Sequence, residues 1–70
     1  MGRNLIQLDD FKNATRPHSR LIYNIAKKNN LSIYDVANFL DCSYSFIVAV
    51  LKGTHNLSIE KANKIRQQYE

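Results

Sequence analysis

Cysteine occurs once in the 70 residues, at Cys42. An internal disulfide is therefore impossible, and so is a cysteine-based metal cluster. Cys42 falls at a core position of a turn and reads as a small buried side chain rather than a reactive thiol. Histidine occurs twice, as His18 and His55. Neither has a partner spaced for catalysis or metal binding, and each reads as a solvated residue or a phosphate contact. The two glycines form no glycine-rich phosphate loop. Asp9-Asp10 reads as a helix start rather than an acid pair. No stretch is apolar enough to cross a membrane and no signal peptide stands out, so a cytoplasmic location is expected. There are no repeats, low-complexity tracts or linkers. An enzyme of this size without a metal or cofactor would be unusual. The expectation is a non-enzyme with no cofactor and no metal.

What remains is a small basic domain. Seventy residues bury only about 60% of their unfolded surface, so stability is marginal and an all-helical core is the most economical solution. The net charge of +4 and pI near 9.5 favour an anionic partner, with nucleic acid first.

The central stretch is Ser32 to Gly53. Ser32 is a good N-cap, and Asp35 three residues on makes an approximate capping box. Val36, Ala37 and Leu40 follow at helical spacing, giving a helix of about Ile33 to Leu40. Asp41-Cys42-Ser43 breaks the pattern; Asp tolerates the left-handed conformation, and Ser43 can cap a second helix, about Tyr44 to Lys52. Ile47, Val50 and Leu51 are its apolar face, and Gly53 ends it.

On either side the same signals recur. In residues 1–16 an arm is expected to pack on the domain, with frayed ends at Met1 to Asn4. Leu5, Ile6, Leu8 and Phe11 are too apolar for a solvated tail, and Asp9 or Asp10 could cap a short helix through Phe11 to Ala14. Residues 17–70 form the domain proper. Pro17 suits the first turn of a helix that carries Leu21, Ile22, Ile25 and Ala26 and ends near Lys28-Asn29-Asn30. After a polar loop, Ser58 caps a last helix with Ile59, Ala62, Ile65 and Tyr69 buried and Lys61, Lys64, Arg66 and Gln67 wet. The expected core is the first-helix stripe, Leu31, the apolar residues of the two central helices, and Ile59, Ala62 and Ile65.

The segment with Val36, Ala37, Leu40, Cys42, Ile47, Val50 and Gly53 resembles the helix-turn-helix of the phage Cro and CI repressor family, and the resemblance runs from roughly Leu21 to Tyr69. It implies an all-α fold, a small bundle of four to five helices with a helix-turn-helix whose second helix enters the DNA major groove. Many members pair an Arg of the first helix with a Glu near the end of the third. The matching positions here are Ala26 and Leu51. Replacing both partners of a buried ion pair by packed apolar residues is often neutral or stabilising, so an intact fold is expected.

The reading face departs further. Relatives carry Gln, Arg and Asn where this chain has Ile33, Ser43, Tyr44, Ser45, Val48 and Ala49, with Phe46 beside them. None of these can make the bidentate contact that supplies about 1–3 kcal/mol of base discrimination. Ile33, Tyr34, Tyr44, Phe46, Val48 and Ala49 are not all expected in the core, and an exposed apolar patch with aromatic anchors marks a protein interface. The alternative is that Phe46 and Tyr34 pack over the arm or Tyr69. For phosphate, Ser32, Ser43, Ser45, Lys52, Thr54, His55 and Asn56 remain, so weak, nonspecific DNA affinity is expected.

In size, scaffold and apolar second helix the chain resembles the modulators of repression of temperate phages. That resemblance implies an antirepressor of the lysis/lysogeny switch in the host bacterial cytoplasm. It would grip the N-terminal DNA-binding domain of its cognate CI-type repressor through a degenerate recognition helix. A Cro-like repressor binding operator DNA is the alternative, and a toxin–antitoxin or other interaction module the third. One core consumes the apolar set without a heptad seam, so the free chain is expected to be a monomer, with no membrane partner.

Overall fold

The computed structural model describes residues 7–70. The expectations for Met1 to Ile6 lie outside the described residues. Within them the chain is all-helical: a 3-10 helix Leu8–Phe11, then α1 Pro17–Lys28, α2 Ile33–Leu40, α3 Tyr44–Lys52 and α4 Ile59–Tyr69.

Each boundary has a local cause. Pro17 opens α1, where its missing N–H costs nothing. The helix ends on Lys27 and Lys28, and Asn30 turns the chain left-handed at φ 57°. Ser32 and Asp35 form a reciprocal capping box at the start of α2. The Asp35 N–H donates to the Ser32 hydroxyl at 3.1 Å, and the Ser32 N–H donates to the Asp35 carboxylate at 2.9 Å. Asp41 ends α2 at φ 58°. Ser43 accepts from the Phe46 N–H and starts α3, and Ser58 does the same for α4 through Lys61. α2 and α3 are bent by 110° across the break between them.

Gly53 closes α3 at φ +89° for two reasons. The left-handed conformation suits glycine, and a Cβ there would lie 3.0 Å from Cγ of Arg16. The Arg16 stem thus runs across the end of α3. Two more contacts fasten α1 to this region. The buried Ser19 hydroxyl donates to the Val50 carbonyl. The Leu57 N–H donates to Nδ1 of His18 at 2.9 Å. His18 was expected to be solvated or on phosphate; it is instead half-buried, because an otherwise unpaired backbone N–H needs an acceptor.

The core is one cluster that draws on α1, α2, α3 and α4, with Ile22, Leu40, Ile47, Leu51 and Ile65 at its centre. Ala26 and Leu51 are both buried in it. α3 packs against both α1 and α2, and α4 packs against α2.

Several expectations are corrected. Ile59 is 81% exposed, and Leu57 is buried instead. Lys61 reaches the last carbonyl of α2, at Leu40, with its Nζ at 3.1 Å. Ile59 therefore lies past the end of α2, where nothing covers it, while Lys61 is half-buried rather than wet. Leu31 is only half-buried. The helix expected over Phe11 to Ala14 is the earlier 3-10 turn, in which Asp10 accepts from the Gln7 N–H at 2.9 Å. Leu8 and Phe11 pack on the core from this turn. Asp9 accepts from Lys27 of α1 at 2.8 Å, which holds the Asp9 carboxyl below, and the Lys27 ammonium above, their ordinary values. Among the described residues no single helix is long and apolar enough to cross a membrane.

Candidate interaction surface on α2 and α3

The turn of α3 set by the Ser43 cap decides which side chains face outward. Tyr44, Ser45, Val48, Ala49 and Lys52 fall on one stripe at helical spacing. With Thr54 they line an open groove of about 430 Å³. A second hollow, of about 310 Å³, lies on the other side of Tyr44 and is lined by Gln7, Leu8, Leu31, Ser32, Ile33 and Tyr34 as well. Tyr44 borders both, and Tyr34, on the wall of the second hollow, stacks on it with ring centroids 4.3 Å apart and planes 24° from parallel. Tyr34 is 60% exposed. An offset stack of this kind stabilises the pair beyond its buried area.

Not all six of the expected interface residues are open to a partner. Ile33 and Val48 are buried, at 4% and 7% exposure, and belong to the core. The physical reason is the bend between α2 and α3. It wedges α3 against α1 as well as α2, so the buried arc of α3 is wider than its Ile47–Val50–Leu51 face. Ile33, first residue of α2, turns inward beside Leu31. Tyr34 is exposed, whereas Tyr44, Phe46 and Ala49 are half-buried. Phe46 does not share the groove. It packs on the core and meets His55 edge-on, with ring centroids 5.9 Å apart. Neither Phe46 nor Tyr34 meets Tyr69, which packs on Phe39 at 5.3 Å instead.

The polar candidates are scattered rather than convergent. Ser32 and Ser43 spend their oxygens on the caps of α2 and α3. Thr54 donates to the Ala49 carbonyl at 3.1 Å and lies 3.3 Å from Nδ1 of His55. Ser45, Lys52, Thr54, His55 and Asn56 are all exposed. Cys42 is half-buried, with its thiol directed at the Leu40 carbonyl. Among the described residues no three His, Cys, Asp or Glu side chains come together as a metal ion would need.

Two features were not read from the sequence. One is the second hollow, whose wall includes Gln7 and Leu8; no periodicity links the arm to α2. The other is a charge signal that was legible. The 23 residues from Asn29 to Leu51 contain Asp35 and Asp41 and no Lys or Arg, so all ten cations of this basic chain lie outside α2 and the first eight residues of α3.

In comparisons with known protein families, characterised proteins and solved structures, nothing matches this chain.

Proposed function

We propose that the chain is a Cro/CI-type helix-turn-helix protein that acts as a temperate-phage antirepressor. Its α2–α3 face grips the N-terminal DNA-binding domain of the cognate CI-type repressor and so keeps that repressor off its operator. The scaffold part of this reading is supported by two short helices bent by 110° across a three-residue break, within the range such motifs use. The observation that carries the functional part is the outer stripe of α3. Its exposed or half-exposed members are Tyr44, Ser45, Ala49 and Lys52, a set with no Arg, Asn or Gln to read a base edge. Tyr34, exposed and stacked on Tyr44, stands beside it, and aromatic side chains are favoured anchors of protein interfaces.

The experiment is a titration of labelled chain with the DNA-binding domain of the cognate repressor and, separately, with its operator. Saturable binding to the repressor domain, with weak and salt-sensitive binding to DNA, is the expected result. Nanomolar, operator-selective binding by the chain alone at physiological salt would sink the proposal. It would favour the second reading, a Cro-like repressor, for which the exposed run of Lys52, Thr54, His55 and Asn56 at the end of α3 supplies phosphate contacts. In both readings the free chain is a monomer.

A further inference from the structure

We infer that the Tyr34–Tyr44 stack receives an arginine guanidinium of the partner, and that the α2–α3 face is built for a basic protein surface. The inference rests on the proposed function and gives the chemistry of its central contact.

The first argument is the pair itself. Two tyrosine rings stacked at 4.3 Å, with Tyr34 60% in water, present an electron-rich aromatic face at the surface of the domain. A planar guanidinium stacks on such a face and is attracted by its quadrupole; it is more weakly hydrated than an ammonium, so it gives up less water on docking. A purely apolar anchor has two hollows available, one on each side of Tyr44. Tyr44 is the ridge between them, and the exposed ring of Tyr34 stacked on it suits a group that stacks rather than one that inserts.

The second argument is charge. The domain is basic overall, yet α2 and α3 carry no cation until Lys52. The carboxylates of this segment, Asp35 and Asp41, are both exposed, and neither is in an ion pair among the described residues. Asp35 follows Tyr34 directly, and Asp41 stands in the turn three residues before Tyr44. Asp35 commits one oxygen to the Ser32 N–H and keeps the other free of hydrogen bonds among the described residues. DNA phosphates would meet these two carboxylates, and the one cation of α2 and α3 is Lys52, at the last residue of α3. A surface that itself binds phosphates is the opposite case, since it is rich in Arg and Lys. The DNA-binding face of a repressor is such a surface, and complementary charge favours both encounter and register.

The test uses the full chain and the N-terminal domain of the cognate repressor, with affinity measured by calorimetry at two salt concentrations. Tyr34→Leu keeps an apolar side chain and removes the ring; Tyr34→Phe keeps the ring and removes the hydroxyl. Both should fold, because Tyr34 is largely exposed, and thermal melts verify this. The expected result is a loss of about tenfold for Tyr34→Leu and a change within about threefold for Tyr34→Phe. Asp41→Asn, which still tolerates the left-handed turn, should weaken binding and flatten its salt dependence. Equal affinity of Tyr34→Leu and Tyr34→Phe, or wild-type binding that strengthens with salt, overturns the guanidinium contact and leaves an apolar docking face, with the proposed function intact. No binding of the wild-type chain to the repressor domain overturns both.

Discussion

Val48 separates a core residue from an interface residue most sharply, because its position on the groove suggests one role and its 7% exposure the other. A domain of this length is stable by roughly 4–10 kcal/mol. Val48→Ala removes two buried methyl groups, a loss of about 1.5 kcal/mol at about 0.8 kcal/mol per carbon. In a domain this small that lowers the Tm by roughly 6–12 °C. Val48→Asp adds the cost of a carboxylate with almost no water around it, and a total of about 3–5 kcal/mol follows even if the charge reaches the rim of the groove. That is a large part of the whole stability, so this variant should be substantially unfolded at 37 °C. Urea titration followed by circular dichroism measures both variants, with the midpoint and the slope fitted together. A Val48→Asp protein with a wild-type midpoint would refute the reasoning. It would mean that the Val48 side chain reaches water in solution and that the α3 face opens further than its packing implies.

The remaining predictions concern other parts of the fold. Ile59→Lys should leave the Tm within about 3 °C of wild type, since an exposed side chain away from any special feature contributes within about 0.5 kcal/mol; a large loss would place Ile59 in the core. Gly53→Ala should destabilise by roughly 1–2 kcal/mol in denaturant titration, through the positive φ and the crowding against Arg16. Ser32→Ala should cost about 1 kcal/mol, read as a lower urea midpoint, because an N-cap and half of a capping box go together. For the exposed Asp9–Lys27 pair the sign follows from the lowered Asp9 carboxyl. Its contribution is present above the unfolded-state value of Asp9 and fades as the pH falls through the lower folded value. Amide exchange at Leu8–Phe11 should then rise in acid relative to a Lys27→Met control, which lacks the pair at every pH.

The helices of this chain are written in local chemistry, and local chemistry is legible. Ser32, Ser43 and Ser58 each satisfy a backbone N–H within three residues, and Asp41 and Gly53 each relieve a left-handed turn. These choices depend on neighbours in the chain, so they determine the bounds of α2, α3 and α4 whatever surrounds them. The apolar periodicity of α1 and the absence of reading side chains on α3 are of the same kind. What only the tertiary structure decided is how wide a face each helix buries. Periodicity marks one stripe, but α3 is covered by α1 and α2 at once, and Val48 goes inside with it. α2 ends at Leu40, which Lys61 already reaches, so Ile59 is left in water although its spacing matches Ala62 and Ile65. Leu57 and Ser19 are buried where α1 is fastened to the α3–α4 loop through His18 and to α3 itself through Val50, contacts between residues more than thirty positions apart that no window of sequence contains. The stack of Tyr34 on Tyr44 is of that second kind too. Both rings are plain in the sequence, but it is the bend between two helices that lays one upon the other.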